Sequence, residues 1–163
     1  MNYFTTKLFT TLLTSEELTG NILFSPFSSH LALGMVYNGA KGKTKREIEM
    51  GLGYSKGDHM LNSEYKSVLQ RISGDKNLTL ETANKVYFSK QPSKSYTKVI
   101  KKTFKDQPTV IDFKTTPEEE IREMINGYIM EKTHGKIKNL ISKDIITKNT
   151  AFILINALYF KGK

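Results

Sequence analysis

The apolar positions of the chain change their spacing along its length, and the changes predict the order of its elements. Repeats of about 3.6 residues predict six helices, which start near residues 1, 26, 44 and 58 and span 93–105 and 118–133. Alternation at every second residue, or a short apolar run, predicts strands at 21–24, 78–88, 109–113 and 151–160. Helices first, and then strands that alternate with helices, indicate an α+β fold whose sheet is partly covered by helices.

Three of the predicted helices begin with a capping pattern. Ser25 and Pro26 predict an N-cap and the first helical residue of the second helix. Thr44 and Glu47 match a capping box for the third helix. The residues 116–119 (TPEE) predict a cap, a first-turn proline and a capping acid for the last helix. We expect each of these helices to begin at its capping residue.

The last predicted strand, 151–160 (AFILINALYF), is apolar on both of its faces. This pattern is typical of a strand in the middle of a covered sheet, and few other strands of the chain could supply its neighbours, so we expect further strands beyond residue 163. Asn156 is the one polar residue of the run, and an unpaired buried amide would cost about 1–3 kcal/mol. It therefore needs hydrogen-bond partners, which lie in other elements or locally, at a bulge or strand end.

A chain of 163 residues with 38% hydrophobic and 25% charged residues has the size and composition of one globular domain. Its formal net charge of +9 attracts polyanions without selecting among them. Cysteine is absent, which excludes disulfides, thiolate zinc sites and thiol nucleophiles. The apolar runs are too short for a transmembrane helix of about 20 residues, and no signal-peptide pattern is present, so we expect no membrane partner.

No set of residues matches an enzyme or a metal site. His30, His59 and His134 lack the spacing or the nearby carboxylates of a metal site, and His30, in an apolar helix, is most simply a hydrogen-bonded core residue. A Ser-His hydrolase would need a nucleophile elbow, and no G-x-S-x-G occurs. The residues 118–120 (EEE) lie in a first helical turn, where their negative charges stabilise the helix by interacting with its dipole. We therefore expect no enzyme, no metal ion and no cofactor.

Four segments resemble the serpin family in their order and spacing. They are an early strand-helix-helix segment (NILFSPFSSHLALGMVYNGAKGKTKREI), a strand (LETANKVYF), a helix with a T-x-G-K-I ending (INGYIMEKTHGKIKNLI) and a following sheet strand (FILINALYFKGK). The resemblance implies a serpin-like fold, with a helical N-terminal half and strands of a large mixed sheet. Residues 1–163 would form the N-terminal portion of a single serpin domain, with the reactive centre loop and the C-terminal half outside them.

The resemblance implies inhibition of a serine protease rather than catalysis. A serpin presents its reactive centre loop as bait, the protease forms an acyl-enzyme with it, and the cut loop inserts beside the strand that corresponds to 151–160. The native fold is metastable, and its stored strain drives the trap. The reactive bond lies outside this chain, so these residues alone should not inhibit. The alternative is a non-inhibitory serpin that acts as a binding or carrier protein, and small residues in the hinge of the loop would indicate an inhibitor.

The same resemblance implies a role for three polar residues. In serpins, the positions of Ser25, Ser28 and Asn156 belong to the shutter, a cluster under the main sheet that controls its opening, together with a histidine from a later strand. The alternative assigns no such role, because Asn156 could be satisfied locally and Ser25 could merely cap its helix.

Four lysines lie at i, i+3, i+4 and i+7, opposite the apolar face of one predicted helix: Lys98, Lys101, Lys102 and Lys105. One interpretation is a site for a glycosaminoglycan or another polyanion, a partner that some serpins use to speed inhibition. The other is a solvated helix face, which is what lysine stripes commonly are. The serpin helix best known for heparin corresponds to 58–74, where only Lys66 and Arg71 are basic. No nucleic-acid partner is expected.

Two further expectations concern the surroundings of the protein. Secretion is the commoner habit of the family and implies an extracellular protein, whereas a cytoplasmic one is expected if Met1 is the true start. The outer edge of the strand 151–160 would be unpaired without the strands that follow it in a complete serpin. Such an edge templates strand addition, so we expect the isolated chain to self-associate.

Overall fold

The computed structural model describes residues 2–14, 20–54, 57–73 and 78–162. Within these ranges the helices are α1 (Asn2–Leu13), α2 (Pro26–Gly39), α3 (Gly42–Leu52), α4 (Gly57–Ser73), α5 (Lys94–Phe104) and α6 (Glu118–Lys132). The strands are β1 (Leu78–Phe88), β2 (Thr109–Val110) and β3 (Phe152–Gly162). The predicted order of helices followed by alternating strands and helices is confirmed, and with it the α+β fold.

The strands form one sheet in the order β2-β1-β3. β1 and β3 are antiparallel along their whole length, with Asn84 opposite Asn156, and β2 is a short parallel neighbour of β1. Side chains alternate between the two faces of a strand. In this register the even-numbered residues of β1 and β3 therefore share one face of the sheet, and the odd-numbered residues share the other.

A hydrophobic core covers each face of the sheet. On the odd-numbered face, Ala83, Tyr87 and Ile155 pack with isoleucines of α6 and of the segment that follows it. On the even-numbered face, Val86 packs with buried side chains of α2, α4 and α5, with Leu154 at the margin of the same core. The sheet is thus a layer between α6 and the other helices.

Close packing on α4 fixes the position of α2. A Cβ atom at Gly34 would lie 2.6 Å from the Tyr65 ring, so only glycine allows this approach of the two helices. Asn38 and Asn62 exchange side-chain amide hydrogen bonds of 3.1 and 2.9 Å across the same pair. Held in this way, α2 directs its first turn at the even-numbered face of the sheet.

The segment 133–150 returns along α6 to the start of β3. Asn126 of α6 holds it, because Asn126 Nδ2 donates to the Ile141 carbonyl at 3.0 Å and Oδ1 accepts from the Ile141 N–H at 2.9 Å. Thr133 Oγ1 donates to the Ile129 carbonyl at 2.7 Å and accepts from the Ile137 N–H at 3.0 Å. The helix and its return segment therefore cover the odd-numbered face together.

Two of the predicted strands are wrong in whole or in part, and tertiary context is the reason. Residues 21–24 are not a strand, because a strand needs a hydrogen-bonded neighbour and no described strand lies beside them. Leu23 is 99% exposed. The strand predicted over 109–113 is confined to Thr109–Val110, the two residues that pair with β1.

The predicted starts of α2, α3 and α6 agree only in part with those in the structure. The Ser25 cap is confirmed, but the capping box at Thr44 is wrong, because α3 begins at Gly42 and its N-cap, Lys41, makes no side-chain capping bond. The N-cap of α6 is Pro117, again without a side-chain bond. A capping pattern in the sequence therefore does not predict the first residue of a helix when the surrounding structure starts the helix at another residue.

Candidate functional site

The first turn of α2 meets the middle of β3. Ser25 is the N-cap, and its Oγ accepts a hydrogen bond from the Ser28 N–H at 3.3 Å. Pro26 follows as the first helical residue, where its missing N–H has no helical partner to lose. This cap sets the direction of the turn, and Ser28, 2% exposed, lies against the strand.

Asn156 joins β3 to this turn. Its Nδ2 donates to Ser28 Oγ at 2.6 Å and to the Ser28 carbonyl at 3.1 Å. The same nitrogen donates to Oδ1 of Asn84 on β1 at 2.5 Å. Two hydrogens serve three acceptors, so at least one of them is shared. The polar residue of the apolar strand is satisfied by partners in two other elements.

The structure thus brings two of the three predicted site residues into direct contact. Ser28 and Asn156 are hydrogen-bonded to each other, whereas the Ser25 hydroxyl caps α2 and makes no hydrogen bond to Asn156 within the described ranges. The partners of Asn156 are therefore Ser28 and Asn84. Control of sheet opening by these residues stays a prediction.

Sequence reasoning missed Asn84, which is 8% exposed. A signal existed, since Asn84 and Asn156 are each a polar residue on a core-facing position of a long strand. The two residues are 72 positions apart, and their pairing depends on strand register, which is set by the fold and not by the local sequence.

A wide groove adjoins the network of Ser28, Asn84 and Asn156. Its volume is about 1050 Å³, and its walls are residues 23–25, 27–29 and 156–161 with Leu80 and Lys136. In the described part of the chain, β3 pairs with β1 and with no other strand. The backbone groups of its second edge are therefore available to a further strand.

His30 connects the first turn of α2 to the neighbouring helices. Its Nδ1 lies 2.8 Å from the Tyr65 hydroxyl, which also contacts the Tyr54 hydroxyl, and its Nε2 lies 3.4 Å from the Leu52 carbonyl. Burial lowers the pKa of His30 and raises those of Tyr54 and Tyr65. All three side chains are therefore neutral near pH 7, and the prediction of a hydrogen-bonded core histidine is confirmed.

The four predicted lysines lie together at the surface of α5. Lys98, Lys101 and Lys102 are exposed on the helix, and Lys105 follows it as the C-cap, with φ 54°. The helix ends one residue earlier than the sequence predicts. Its opposite face is buried, so the lysine side is directed to solvent.

The described ranges offer no metal-binding cluster and no membrane-spanning helix. No group of three or more His, Asp or Glu side chains in these ranges could hold a metal ion, and none of their helices is long and apolar enough to cross a bilayer. His134 Nε2 lies 2.9 Å from Glu81 Oε1. The side chain of His59 lies outside the described residues.

Comparison with known proteins agrees with this geometry. A family model described as serpin (serine protease inhibitor) matches residues 1–163. Leukocyte elastase inhibitor of Bos taurus is 34% identical over an alignment of 167 positions, which covers 98% of this chain and 42% of that protein. Serine protease inhibitor 42Dd of Drosophila melanogaster is 31% identical over 163 residues, which cover 98% of this chain and 43% of that protein.

Solved structures show the same likeness. Ovalbumin from emu (Dromaius novaehollandiae) superposes with a TM-score of 0.87 at 27% identity, over 98% of this chain and 45% of that one. Serpin48 of the insect Tenebrio molitor gives 0.86 at 29% identity, over 98% and 43%. The chain spans less than half the length of each of these four proteins. Its whole length matches the family model and its fold matches solved serpins, and the chain therefore belongs to the serpin family.

Proposed function

We propose that these residues form the part of a serine protease inhibitor that controls entry of the bait loop into the main sheet. The protein that carries them inhibits a serine protease by the serpin mechanism, with its reactive bond outside residues 1–163. Ser25, Ser28 and Asn156 act as the shutter, with Asn84 as a further member. Ser25 acts through the cap that holds Ser28 in place.

The observation that carries this proposal is the bonding of a single nitrogen, Asn156 Nδ2, to Ser28 of α2 and Asn84 of β1. A strand that enters beside β3 requires β3 to shift over the helix beneath it. During such a shift, the Asn156 amide can exchange its hydrogen bonds for new ones. It has to find new partners, because an unpaired buried amide would cost about 1–3 kcal/mol. A hydrogen-bonded contact is therefore suited to a place where the sheet opens and closes again.

The surroundings of the network support the same reading. The unpaired edge of β3 and the adjoining groove of about 1050 Å³ leave room for further strands. The relatives named as a leukocyte elastase inhibitor and a serine protease inhibitor indicate the chemical class of partner, a serine protease.

The test is covalent trapping. The protein that carries this chain, with any downstream sequence that its gene encodes, is incubated with trypsin-like, chymotrypsin-like and elastase-like proteases. We expect an SDS-stable complex with at least one of them, and none with the 163-residue chain alone. Cleavage of the bait loop without a stable complex would contradict inhibition and favour a serpin that acts as a binding or carrier protein.

A matched pair of variants tests the shutter itself. Asn156→Ala removes the bonds that join α2 to β3 and should lower the ratio of trapped to cleaved inhibitor. Asn38→Ala removes a comparable amide pair between α2 and α4, away from β3, and should lower stability while leaving that ratio unchanged. Equal ratios in both variants would show that the network around Asn156 only stabilises the fold.

The cellular location of the protein can be inferred from the same family resemblance. We infer an extracellular location from the resemblance to secreted serpins, with a cytoplasmic location if Met1 is the true start. Detection of the protein in culture medium or in the cell lysate of its natural source distinguishes the two.

A further inference from the structure

One side chain at the end of α6 contacts both long strands of the sheet. His134 Nε2 lies 2.9 Å from Glu81 Oε1 of β1, and the centres of the His134 and Tyr159 rings are 4.4 Å apart. Glu81 and Tyr159 are direct partners in the register of β1 and β3, on the odd-numbered face. These two interactions are called the His134 contact below.

The His134 contact has a special place among the interactions of α6. In the described ranges, no other side-chain hydrogen bond joins α6 or the segment 133–150 to β1 or β3. Asn126 and Thr133 form their hydrogen bonds within α6 and this segment, and the core between α6 and the strands consists of hydrophobic side chains. Because hydrophobic packing is not directional, the His134 contact fixes where the end of α6 lies along the strands.

The backbone at the end of α6 turns sharply at this residue. His134 has a φ of 50° and Gly135 a φ of 74°, a region that residues other than glycine adopt infrequently. Such a conformation persists where the surrounding structure holds it, and the His134 contact supplies that support. The Gly135 N–H donates to the Met130 carbonyl at 2.8 Å, and the Lys136 N–H donates to the Thr133 carbonyl at 3.0 Å. Residues 133–137 therefore form one hydrogen-bonded turn.

This turn borders the groove beside β3. Lys136 lines the groove together with residues 156–161. A strand that pairs with the second edge of β3 would occupy this space, so the position of the turn limits how easily such a strand enters. Displacement of the turn would separate His134 from Glu81 and Tyr159.

The strength of the His134 contact depends on the charge of the imidazole. The interaction with Glu81 is a hydrogen bond when the ring is neutral and an ion pair when it is protonated, and histidine is the side chain whose charge ordinarily changes between pH 5 and 8. The side chains of His134 and Glu81 are 51% and 38% exposed, so solvent reaches both. A lower pH therefore strengthens the contact.

The other charged groups around His134 do not reverse this direction. Within the described ranges, Glu81 is the charged group that contacts the imidazole, and Glu131 pairs with Lys132 at 3.8 Å. The remaining titratable side chains on the neighbouring elements are Tyr159 and Lys161 of β3 and Lys136 of the turn.

We propose that the contact of His134 with Glu81 and Tyr159 is a pH-sensitive device that holds the end of α6 against the sheet and slows the entry of a strand beside β3. The inference rests on the proposed function, because the entering strand is the bait loop. Protonated His134 keeps the turn in place, and loss of the contact releases it.

Hydrogen exchange in the complete protein tests the contact without a protease. Glu81→Gln removes the ion pair, and the matched control Glu131→Gln removes the same charge from α6 at a side chain that does not contact the imidazole. Between pH 7.5 and pH 5.5, the protection of the N–H groups of residues 135–137 should rise about two- to fivefold more in the wild type than in Glu81→Gln, as expected for an exposed ion pair. Glu131→Gln should match the wild type. Equal protection in the wild type and Glu81→Gln at both pH values would overturn the proposal.

The rate of strand entry tests the consequence. A fluorescent peptide with the sequence of the protein's own bait loop is added to the complete protein, and its insertion is followed by anisotropy. Insertion should be about two- to fivefold slower at pH 5.5 than at pH 7.5 in the wild type and in Glu131→Gln. His134→Gln and Glu81→Gln should remove this difference. Other titrating groups, including His30, are shared by these three variants and the wild type and cancel in the comparison with Glu81→Gln.

The outcomes separate this proposal from the proposed function. The same pH dependence of insertion in all variants, or no insertion in any of them, would overturn the proposal. A protein that forms SDS-stable protease complexes and shows either result would still be an inhibitor, without control by His134. Absence of such complexes would contradict the proposed function, and hydrogen exchange would still decide whether the contact holds the turn.

Discussion

Single polar residues in the two cores are paired by hydrogen bonds that cross from one element to another. Asn156 joins β3 to α2 and β1, and Asn126 joins α6 to its return segment. A net contribution of about 0.5–1.5 kcal/mol for each bond is modest. Loss of one partner costs more, because the other is left buried and unpaired. These residues therefore specify which surfaces pack together.

At this scale we expect stability to fall as the pH drops through the range in which His30 would gain a proton. Burial lowers the pKa of His30 in the folded state, while the unfolded chain titrates near about 6.5. The unfolded state therefore takes up the proton first. The contribution of neutral His30 to the free energy of unfolding is present above pH about 6.5 and is lost below it. Urea denaturation at pH 7.5 and 5.5 measures the difference.

The groups that face His30 define the controls for this experiment. The Tyr54 and Tyr65 hydroxyls are neutral, and the Glu64 charge only partly offsets the effect of burial. His30→Gln should reduce the pH dependence, because the buried imidazole is then replaced by a group that does not titrate. An undiminished dependence in His30→Gln would assign the effect to other groups.

Helices and strands form where the local sequence favours them and where tertiary contacts stabilise them. Ser25 and Ser93 both cap helices in the structure, each accepting a hydrogen bond from the N–H three residues on. Thr44 has the same local signal, but α3 begins before it. Residues 21–24 have the composition of a strand and no described neighbour to pair with. The local sequence therefore favours an element, but the element forms only where other parts of the chain pack against it or pair with it.

The close contact between α2 and α4 depends on the absence of a side chain at Gly34. Gly34→Ala should lower the free energy of unfolding by about 1–3 kcal/mol, because its Cβ would lie 2.6 Å from the Tyr65 ring. Gly127→Ala is the control within α6, where a Cβ meets nothing within 4 Å, and should raise stability by about 0.5–1 kcal/mol. Chemical denaturation measures both, and similar gains in the two variants would contradict the close helix contact.

The whole molecule presents apolar surface beside an unpaired strand edge. Leu23 and Phe160 are largely exposed, and both line the groove next to β3. Apolar area left in water costs about 25 cal/mol per Å², and the second edge of β3 has no strand partner in the described ranges. Both features favour the addition of another strand at this position.

We therefore expect the chain, when produced as these 163 residues, to self-associate through β3. A peptide that matches the strand next to β3 in a related serpin should suppress the association, and a scrambled peptide of equal composition should not. Analytical ultracentrifugation at micromolar concentration measures the effect. A monomer with a cooperative melt and no binding of a hydrophobic dye would contradict it.

The order of most elements, the α+β class and the family can all be predicted from the amino-acid sequence without the structure. Apolar periodicity is a property of neighbouring residues, so α5, α6, β1 and β3 could be predicted within a few residues. The motifs around Ser25 and Asn156 carry the resemblance to the family, and they identify both residues as candidates.

Which of these candidate residues meet depends on contacts between distant parts of the chain. The tertiary structure paired Asn84 with Asn156, left Ser25 as a cap for the turn that carries Ser28, and directed Asp106 inward to Lys85. Each of these results depends on strand register or on packing between residues that are far apart in the chain. Such relations have no local signal, because the free energy that selects them arises only when distant surfaces are brought together.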